Sequence, residues 1–420
     1  MKIVIFTLGC KVNQYESDSL ALSLQNEGHE VSTSLEVADL YILNTCAVTL
    51  ESEKKSRQVL AKIKKLNEKA KVIVMGCASE NNPDQFLDRD NVQAVLGVGG
   101  KHLIPQLLNK EGNLTVPLPS EYENNFFAGL TKTRATLKVQ DGCDNFCAYC
   151  LIPYLRGRSR SRDLNSIIEE ATELAKHTNE IVITGINTSD YKINGKLALS
   201  VLMAEMGKID ARIRISSLEA NIITDDFLKV LKEVPNFAPH FHLSLQSGSD
   251  EVLKAMNRKY SVKEYLDKVK LIRKYFQNAA ITTDLIVGFS TETDKNFKET
   301  LKTLKRAKFF DIHVFPYSKR KGTKAYELKE LAPEIIKARV QEALKVKQRS
   351  IDDYIKKSLG TMQTVLIEEE YDGYLRGHTE YFIKVYIPLN NKITSGEFVK
   401  VKLIERFKDG ALAQIIEEEK

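Results

Sequence analysis

The sequence predicts an α/β protein in three parts: an open parallel-sheet α/β domain, a central (β/α)6 three-quarter barrel, and a small antiparallel β-barrel. Three observations lead to this prediction. Apolar strand patterns alternate with helical patterns over residues 1–115, and six strand–helix units follow over residues 130–330. After a basic helical connector at 331–359, residues 360–420 hold short strand patterns separated by turn-forming pairs.

The first domain places three cysteines at equivalent positions. Its strand patterns lie at residues 2–7, 39–43, 71–75 and 92–96, and Cys10, Cys46 and Cys77 each follow one of the first three. Because the carboxyl ends of parallel strands form one crevice, these strand-end cysteines should converge. One such cysteine alone is typical of a small buried apolar residue. Three together favour a three-thiolate site, and Gly9 and Gly76 would let the backbone approach a bulky group.

A linker separates this domain from the barrel. It is marked by Pro117, Pro119, Ser120 and the pair Asn124-Asn125. The barrel strand patterns lie at 135–140, 181–184, 212–216, 241–245, 281–287 and 312–315. Six strand–helix units are too few for a closed eight-stranded barrel, so the sequence predicts an open one with its site at the strand ends.

The first barrel strand leads directly into a cysteine triplet, Cys143, Cys147 and Cys150, with Cys-x3-Cys-x2-Cys spacing. Three thiolates can hold three corners of a 4Fe–4S cubane, which normally takes four cysteines. One iron would stay open for a substrate or cofactor. A structural zinc site, by contrast, normally takes four protein ligands.

Charge and cysteine usage suggest the cellular context. The net charge is +6, and the positive surplus falls in the middle of the chain, with Arg156, Arg158, Arg160 and Arg162 directly after the triplet. Basic clusters beside a reactive site suggest a polyanionic substrate, although the lysines of the connector could simply form a solvated helix face. We find no signal-peptide pattern and no apolar run near the roughly 20 residues of a membrane span. We therefore expect a cytoplasmic protein with reduced cysteines and no membrane partner.

The cysteine phrases resemble those of the radical S-adenosylmethionine (SAM) superfamily and, within it, the methylthiotransferases. The resemblance covers essentially the whole chain and includes residues 43–46, 75–77, 150–157, 243–250 and 315–323. The run Gly9-Cys10-Lys11-Val12-Asn13-Gln14-Tyr15-Glu16-Ser17, together with residues 55–58, resembles the enzymes that act on threonylcarbamoyladenosine in tRNA.

This resemblance implies cofactors, partners and a reaction. The cofactors are two 4Fe–4S clusters and S-adenosyl-L-methionine, with the triplet holding the SAM-binding cluster and the strand-end cysteines holding a second, sulfur-supplying cluster. A methylthio group is added to position 2 of N6-threonylcarbamoyladenosine next to the anticodon of ANN-decoding tRNA. A reductant protein such as flavodoxin or ferredoxin supplies electrons, and the C-terminal barrel is TRAM-like.

The resemblance also places cofactor contacts at the barrel strand ends. The expected SAM-binding residues are Thr184, Gly185, Ile186, Asn187, Glu219, Gln246, Gly288 and Arg156. Gly288 would allow close backbone approach to the adenosyl group, and Arg156 would neutralise the SAM carboxylate or bind RNA phosphate, as would Arg158. The alternative for Glu219 and Gln246 is that they are ordinary loop residues, and a cofactor contact is favoured. Ser290-Thr291 replace the Pro-Gly usual in the family, and we expect the SAM site to persist with altered affinity.

Alternative readings remain open at this point. The substrate could be isopentenyladenosine in tRNA or a ribosomal-protein aspartate. A non-enzymatic alternative is an iron–sulfur or zinc protein that binds RNA. The histidines show no ligand spacing, and His240 and His242 are interpreted as structural.

Overall fold

The computed structural model of the chain describes residues 1–123, 133–390 and 392–416. It confirms the predicted α/β fold class, with a parallel sheet, an open barrel and a small closed barrel in that order. The predicted linker pair Asn124-Asn125 and the second residue of the turn pair Asn390-Asn391 lie outside the described residues. So do residues 130–132 of the central part and the last four residues of the chain.

The N-terminal part is a parallel sheet between helices. Its strands are β1 Lys2–Thr7, β2 Glu30–Ser32, β3 Leu40–Thr45, β4 Lys71–Gly76, β5 Val92–Val95 and β6 Gly112–Asn113. Its α-helices are α1 Lys11–Asn26, α2 Leu50–Leu66, α3 Cys77–Asn81, α4 Asp84–Leu87 and α5 Ile104–Leu107. The described strands pair in the order β2-β1-β3-β4-β5-β6, all in parallel. The short edge strands β2 and β6 were not predicted, because two or three residues carry little periodicity.

Both faces of this sheet are covered, which explains its continuous apolar strands. Every residue of β3 is buried. Tyr41 and Leu43 pack in one core cluster with Ile63 of α2, and Ile42 packs in another with Leu24 of α1. This two-sided packing fixes the carboxyl ends of the strands at one edge.

The central part contains the barrel. Its strands are β7 Ala135–Asp141, β8 Arg160–Ser161, β9 Glu180–Gly185, β10 Lys192–Ile193, β11 Lys196–Leu197, β12 Arg212–Ile215, β13 His240–His242, β14 Ala280–Val287 and β15 Asp311–Pro316. Its α-helices are α6 Ile152–Leu155, α7 Leu164–Ala175, α8 Leu199–Met206, α9 Asp225–Glu233, α10 Asp250–Ala255, α11 Val262–Tyr275 and α12 Asp294–Ala307. The ladders run β12-β9-β7-β8 and β13-β14-β15, and a parallel bridge between Leu218 and Leu243 joins them.

The two faces of the barrel wall differ in polarity. Alternate residues such as Ile183, Ile213 and Phe241 pack outward into the helix-lined core. The residues between them form a polar inner face, where His240 and His242 share the Thr282 hydroxyl at 3.0 Å. Helix α1 packs against β7 and β9. The first helix of the N-terminal part therefore contacts the barrel wall itself.

The C-terminal part docks on the amino-terminal ends of the barrel strands. Helix α13 Pro333–Ser358 leads into β16 Met362–Tyr371, β17 Tyr374–Thr379, β18 Lys384–Pro388, β19 Phe398–Phe407 and β20 Gly410–Ile415. These strands close in the order β16-β17-β18-β20-β19, antiparallel except for the β18–β20 pair. The Phe382 ring stacks on His240 with centroids 4.7 Å apart, and Arg214 Nη2 donates to the Thr379 carbonyl at 3.1 Å. Among the described residues, no helix is both long and apolar enough to cross a membrane.

Candidate cluster sites and cofactor cleft

The strand-end cysteines converge at one edge of the N-terminal sheet. Cys46 and Cys77 are buried and Cys10 is exposed. Cys46 is close enough to feel the charge of both other cysteines, and Cys77 feels that of Cys10. Burial raises the pKa of Cys46 to about 11 and raises that of Cys77 as well. The buried thiols thus stay protonated at neutral pH until a metal displaces the proton.

Two glycines shape this edge. Gly9 and Gly76 have φ values of 106° and 107°, which favour glycine. A Cβ on Gly9 would lie 2.8 Å from the Cβ of Cys46, and one on Gly76 would lie 2.6 Å from Asn44 Oδ1. The glycines therefore let the backbone pass close to these side chains, so that the cysteines come together.

A buried ion network lies beside the strand-end cysteines. Its members are Glu16, Lys101, Lys138, Asp141, Arg156 and Arg160, all on or next to α1 and the first barrel strand. The Arg156 guanidinium connects the network to a cysteine. Its Nε donates to Cys77 Sγ at 3.3 Å, and its Nη1 donates to Glu16 at 2.9 Å and to Asp141 at 3.1 Å.

This network carries more positive than negative charge. Although burial by itself would raise the pKa of Glu16, the cations Arg156, Lys101 and Lys138 hold it well below its ordinary range. Asp141 behaves in the same way, with Lys138 and Arg156 opposing burial. Both carboxylates are ionised, yet they face four cations. The surplus positive charge favours thiolate ligands at the neighbouring cysteines.

The position of Arg156 corrects its expected role. The residue has no exposed surface, so it is not available to RNA phosphate, and its contacts are at the strand-end cysteines rather than in the cleft beside the triplet. It is buried because all its described partners, including Asn13 Oδ1 at 2.7 Å, come from the sheet edge and the barrel wall. Arg158 is the exposed arginine of this run, 3.3 Å from Asp144 and with its guanidinium over the Phe146 ring.

The cysteine triplet lies on the loop after β7. Cys143 Sγ accepts from the Asn145 amide at 3.4 Å, and Cys147 Sγ accepts from Arg258 Nη1 at 3.4 Å. The loop is held by backbone bonds, including one from Cys150 to the Cys147 carbonyl at 3.0 Å. Burial raises the pKa of Cys143 to about 11 and that of Cys150 to about 12, so these thiols also stay protonated until a metal binds.

A cleft of about 140 Å³ opens beside the triplet and brings several predicted residues together. Cys147, Asn187 and Glu219 line it, together with Arg258. Glu219 forms an ion pair with Arg258 and accepts from Asn145 Nδ2 at 3.5 Å. Arg258 thus connects a predicted cofactor residue to a triplet sulfur, although no sequence pattern pointed to it.

Gln140 joins the triplet loop to the loop after β9, and sequence reasoning missed its role. Its Nε2 donates to the Gly142 carbonyl at 2.8 Å, and its Oε1 accepts from the Asn187 amide at 2.7 Å. Thr184 is buried, and Gly185 packs on Gln140. Ile186, which is half-buried, lies between Gly185 and Asn187 in the chain. A polar residue near the end of the strand that leads into the triplet was the available signal.

Two other predicted residues lie away from the cleft lining. Gln246 has a φ of 67° and pairs by its backbone with Asp284 and Ile286 at 2.9 Å, and it is not among the residues that line the cleft. Gly288 was expected to admit the adenosyl group. A Cβ there would lie 2.7 Å from Ile336 Cγ1 of helix α13, so the missing side chain makes room for Ile336, and the adenosyl contact stays a prediction.

The loop with the unusual Ser290-Thr291 pair is still tightly held. The Glu292 amide donates to the Phe289 carbonyl at 2.7 Å, and Glu292 Oε2 accepts from the Gly288 amide at 2.9 Å. Arg339 of α13 donates to the same carboxylate oxygen at 2.8 Å. Glu292 thus holds the turn in two ways, through its backbone amide and through its side-chain carboxylate.

Neither three-cysteine set forms a ready-made site for a single metal ion among the described residues. Over residues 1–123, 133–390 and 392–416, no three His, Cys, Asp or Glu side chains are close enough together to hold one metal ion. A cubane binds each thiolate at a different iron, so its ligands stand farther apart than the ligands of one ion.

Comparison with known proteins supports this reading. The Radical SAM superfamily model matches residues 137–304, and the model of the Uncharacterized protein family UPF0004 matches residues 2–97. The fold resembles the radical SAM methyltransferase TsrM from Kitasatospora setae, with a TM-score of 0.57 at 12% identity over 77% of this chain and 74% of that one. It also resembles the cobalamin-dependent SAM radical enzyme OxsB, with a TM-score of 0.52 at 13% identity over 83% and 56%.

Full-length relatives are more similar. The threonylcarbamoyladenosine tRNA methylthiotransferase MtaB of Thermotoga maritima is 37% identical over 98% of this chain and 97% of its own length. The MtaB of Bacillus subtilis is 33% identical over 99% and 97%. The tRNA-2-methylthio-N(6)-dimethylallyladenosine synthase of Desulfotalea psychrophila is 33% identical over 99% and 98%.

Fold and site together define a radical SAM enzyme with a second three-cysteine site. The chain belongs to the radical SAM methylthiotransferase family. The cofactors of this family are S-adenosyl-L-methionine and two 4Fe–4S clusters, and the two cysteine sites fit that requirement.

Proposed function

We propose that this protein adds a methylthio group to position 2 of N6-threonylcarbamoyladenosine in tRNA. The observation that carries the proposal is the pair of three-cysteine sites on one chain, linked by a continuous set of bonds from Cys77 through Arg156 and Asp141 to the amide of Gly142. The choice of substrate rests on the full-length relatives that are named for this reaction.

The triplet would hold the SAM-binding cluster, and the strand-end cysteines would hold the auxiliary cluster. When bound, the two clusters and SAM supply radical chemistry and sulfur. The protein contributes position and electrostatics. Arg258, held by Glu219, donates to a triplet sulfur and limits how far the loop can move. Arg156 does the same for Cys77 at the other site.

The cleft residues would bind SAM. Asn187 and Glu219 line the space next to Cys147, and Gln140 fixes the loop that carries Thr184, Gly185 and Ile186. Gln246 and Gly288 would act from farther away, through the backbone that supports this face. Removing Gln140 should therefore weaken SAM binding through loop position, without removing a ligand.

The partners follow from the reaction. The RNA substrate would be ANN-decoding tRNA that already carries the threonylcarbamoyl group, and a small reductant protein such as flavodoxin or ferredoxin would deliver electrons. We place the reaction in the cytoplasm, because all six cysteines are free thiols and clusters require reduced thiolates.

A second candidate substrate is dimethylallyladenosine in tRNA. Relatives named for that nucleoside are 32–34% identical over 95–99% of this chain, close to the 33–37% of the relatives named for threonylcarbamoyladenosine. Overall identity therefore separates the two substrates weakly, and a direct assay is needed.

The test is an anaerobic reconstitution with SAM, a reductant and purified tRNA of either kind, followed by nucleoside mass spectrometry. We expect a methylthio product from threonylcarbamoyladenosine tRNA. A product from the dimethylallyl form alone would overturn the substrate assignment. Zinc in place of iron, or a cluster that leaves SAM intact after reduction, would instead favour a non-enzymatic RNA-binding protein.

A further inference from the structure

Lys11 lies between the strand-end cysteines and the polar inner face of the barrel. It is the first residue of α1, directly after Cys10, and it is exposed to solvent. Helix α1 packs against β7 and β9. The charges of Arg134, Arg214 and Glu180 act on the Lys11 ammonium, which places it within electrostatic reach of the inner face of the barrel.

The described residues provide no hydrogen bond or ion pair to the Lys11 ammonium. The carboxylate that acts on it, Glu180, already has other cationic partners. Arg214 Nε donates to Glu180 Oε1 at 2.9 Å. Arg212 and Arg134 approach the same carboxylate at 3.4 and 3.6 Å. Three arginines therefore already share the Glu180 carboxylate, and Lys11 would be a fourth cation near it.

This arrangement leaves a local surplus of positive charge. Arg134 has a second partner in Glu368 at 3.0 Å, and Arg214 also donates to the backbone carbonyls of Glu380 and Thr379. Lys11 is the cation in this group that has free donors and an open approach. An ammonium in this position attracts an anionic group of a bound molecule.

We propose that Lys11 recognises the threonyl carboxylate of the substrate nucleoside and thereby selects threonylcarbamoyladenosine over nucleosides with an uncharged N6 group. This inference rests on the proposed function. Carbon 2 and the N6 group of adenine lie on the same edge of the ring. A base that presents carbon 2 to the strand-end cysteines therefore brings its N6 group near the residue that follows Cys10.

The chemistry separates the two candidate substrates. A threonylcarbamoyl group carries a carboxylate, whereas a dimethylallyl group is apolar and gives Lys11 no partner. Binding the apolar group beside an unpaired ammonium would leave that charge poorly solvated. Lys11 would thus contribute to selectivity in two ways, by attracting the threonyl carboxylate and by disfavouring the apolar dimethylallyl group.

The experiment is a thermodynamic cycle in which the Lys11 side chain and the threonyl carboxylate of the substrate are each changed, alone and together, and the binding affinities are compared. Lys11→Gln, Lys11→Arg and wild-type holoenzyme are titrated at fixed salt with an anticodon stem-loop that carries threonylcarbamoyladenosine. The same proteins are then titrated with a stem-loop whose threonyl carboxylate is converted to the amide. Lys71→Gln is the matched control, because Lys71 is exposed at the start of β4, at the opposite end of that strand from Cys77.

We expect Lys11→Gln to bind the carboxylate form about 10- to 100-fold more weakly than wild type, the usual effect of one hydrogen bond to a charged group. It should bind the amide form as wild type does. Lys11→Arg should keep most of the preference, and Lys71→Gln should change neither affinity. Iron content and the electron paramagnetic resonance spectrum should stay unchanged in every variant.

Three results would overturn the inference. One is an unchanged preference in Lys11→Gln. Another is an equal loss for the carboxylate and amide forms, which would indicate general attraction to RNA. The third is a loss that follows altered iron content, which would assign Lys11 to the cluster. If wild type itself does not methylthiolate threonylcarbamoyladenosine, the proposed function fails first and the Lys11 inference fails with it.

Discussion

The two cysteine sites differ in how the chain assembles them. The triplet comes from residues 143–150 of one loop, whereas the strand-end cysteines come from three strand ends that meet only when the sheet forms. Their surroundings also differ. The triplet borders an open cleft and is supported by one arginine, Arg258, while the strand-end cysteines border a buried network of six charged residues.

This difference indicates a division of labour. A local loop beside a cleft can exchange SAM and its products without disturbing the fold. A site built from three strands and a buried ion network is tied to the stability of the N-terminal sheet, which suits a cluster that must stay in place while its sulfur is renewed. Variants at the two sites should therefore fail in different ways.

The largest expected effect is at the triplet. Cys143→Ala should abolish reductive cleavage of SAM, because the cluster loses one of its three protein ligands. Iron should fall from about eight to about four per chain, since one of two cubanes is lost. Cleavage is measured by chromatography of the adenosyl product, and cleavage that persists would show that the triplet does not hold the SAM cluster.

The Cys46→Ala variant compares the roles of the two cysteine sites most directly. This variant should retain SAM cleavage and lose methylthio transfer by more than the roughly 100-fold that an outer-shell change costs, because a direct ligand is removed. Cleavage and transfer are measured on the same preparation. If both activities fall together, the two sites do not have separate roles.

Glu16→Gln tests whether the strand-end site depends on the buried ion network. Removing one carboxylate from a buried network typically costs about 3–5 kcal/mol, because its cations stay buried and unpaired. Thermal unfolding should show this loss at neutral pH. A loss below about 1 kcal/mol, the range of exposed ion pairs, would mean that the network is solvated.

The same variant gives a pH dependence with a definite sign. The pKa of Glu16 in the folded protein lies below its ordinary value. Its contribution to stability is therefore complete above the unfolded pKa of about 4.3 and is lost as pH falls through the folded pKa. The gap between wild type and Glu16→Gln should be constant above about pH 5 and should narrow only below the ordinary glutamate range.

Arg158→Ala should give the smallest effect. Arg158 is exposed near the triplet, whereas Arg156 is fully buried beside Cys77. If Arg158 contacts one RNA phosphate, its removal should lower the slope of log affinity against log salt by about 0.7–0.9. Binding titrations at several salt concentrations measure this slope, and an unchanged slope would place the RNA backbone elsewhere.

Much of the site could be predicted because its signals are local. The triplet spacing lies in one loop, and the strand-end positions follow from the parallel sheet that strand–helix alternation requires. Strand bounds were close for the same reason, as at β14 Ala280–Val287, which was predicted at 281–287. The weak points were short edge strands and side chains whose partners are distant in sequence.

What the sequence alone determined is the chemistry available to this protein: two sets of three thiolates, their place at strand ends, and the family to which they belong. What only the tertiary structure decided is the partner of each charged residue. Arg156 lies at Cys77, Gly288 accommodates Ile336, and Lys11 lies near Arg134 and Arg214 with no ion pair among the described residues. The reason is physical: periodicity and spacing are set along the chain, whereas burial and charge pairing depend on residues that only the folded chain brings together.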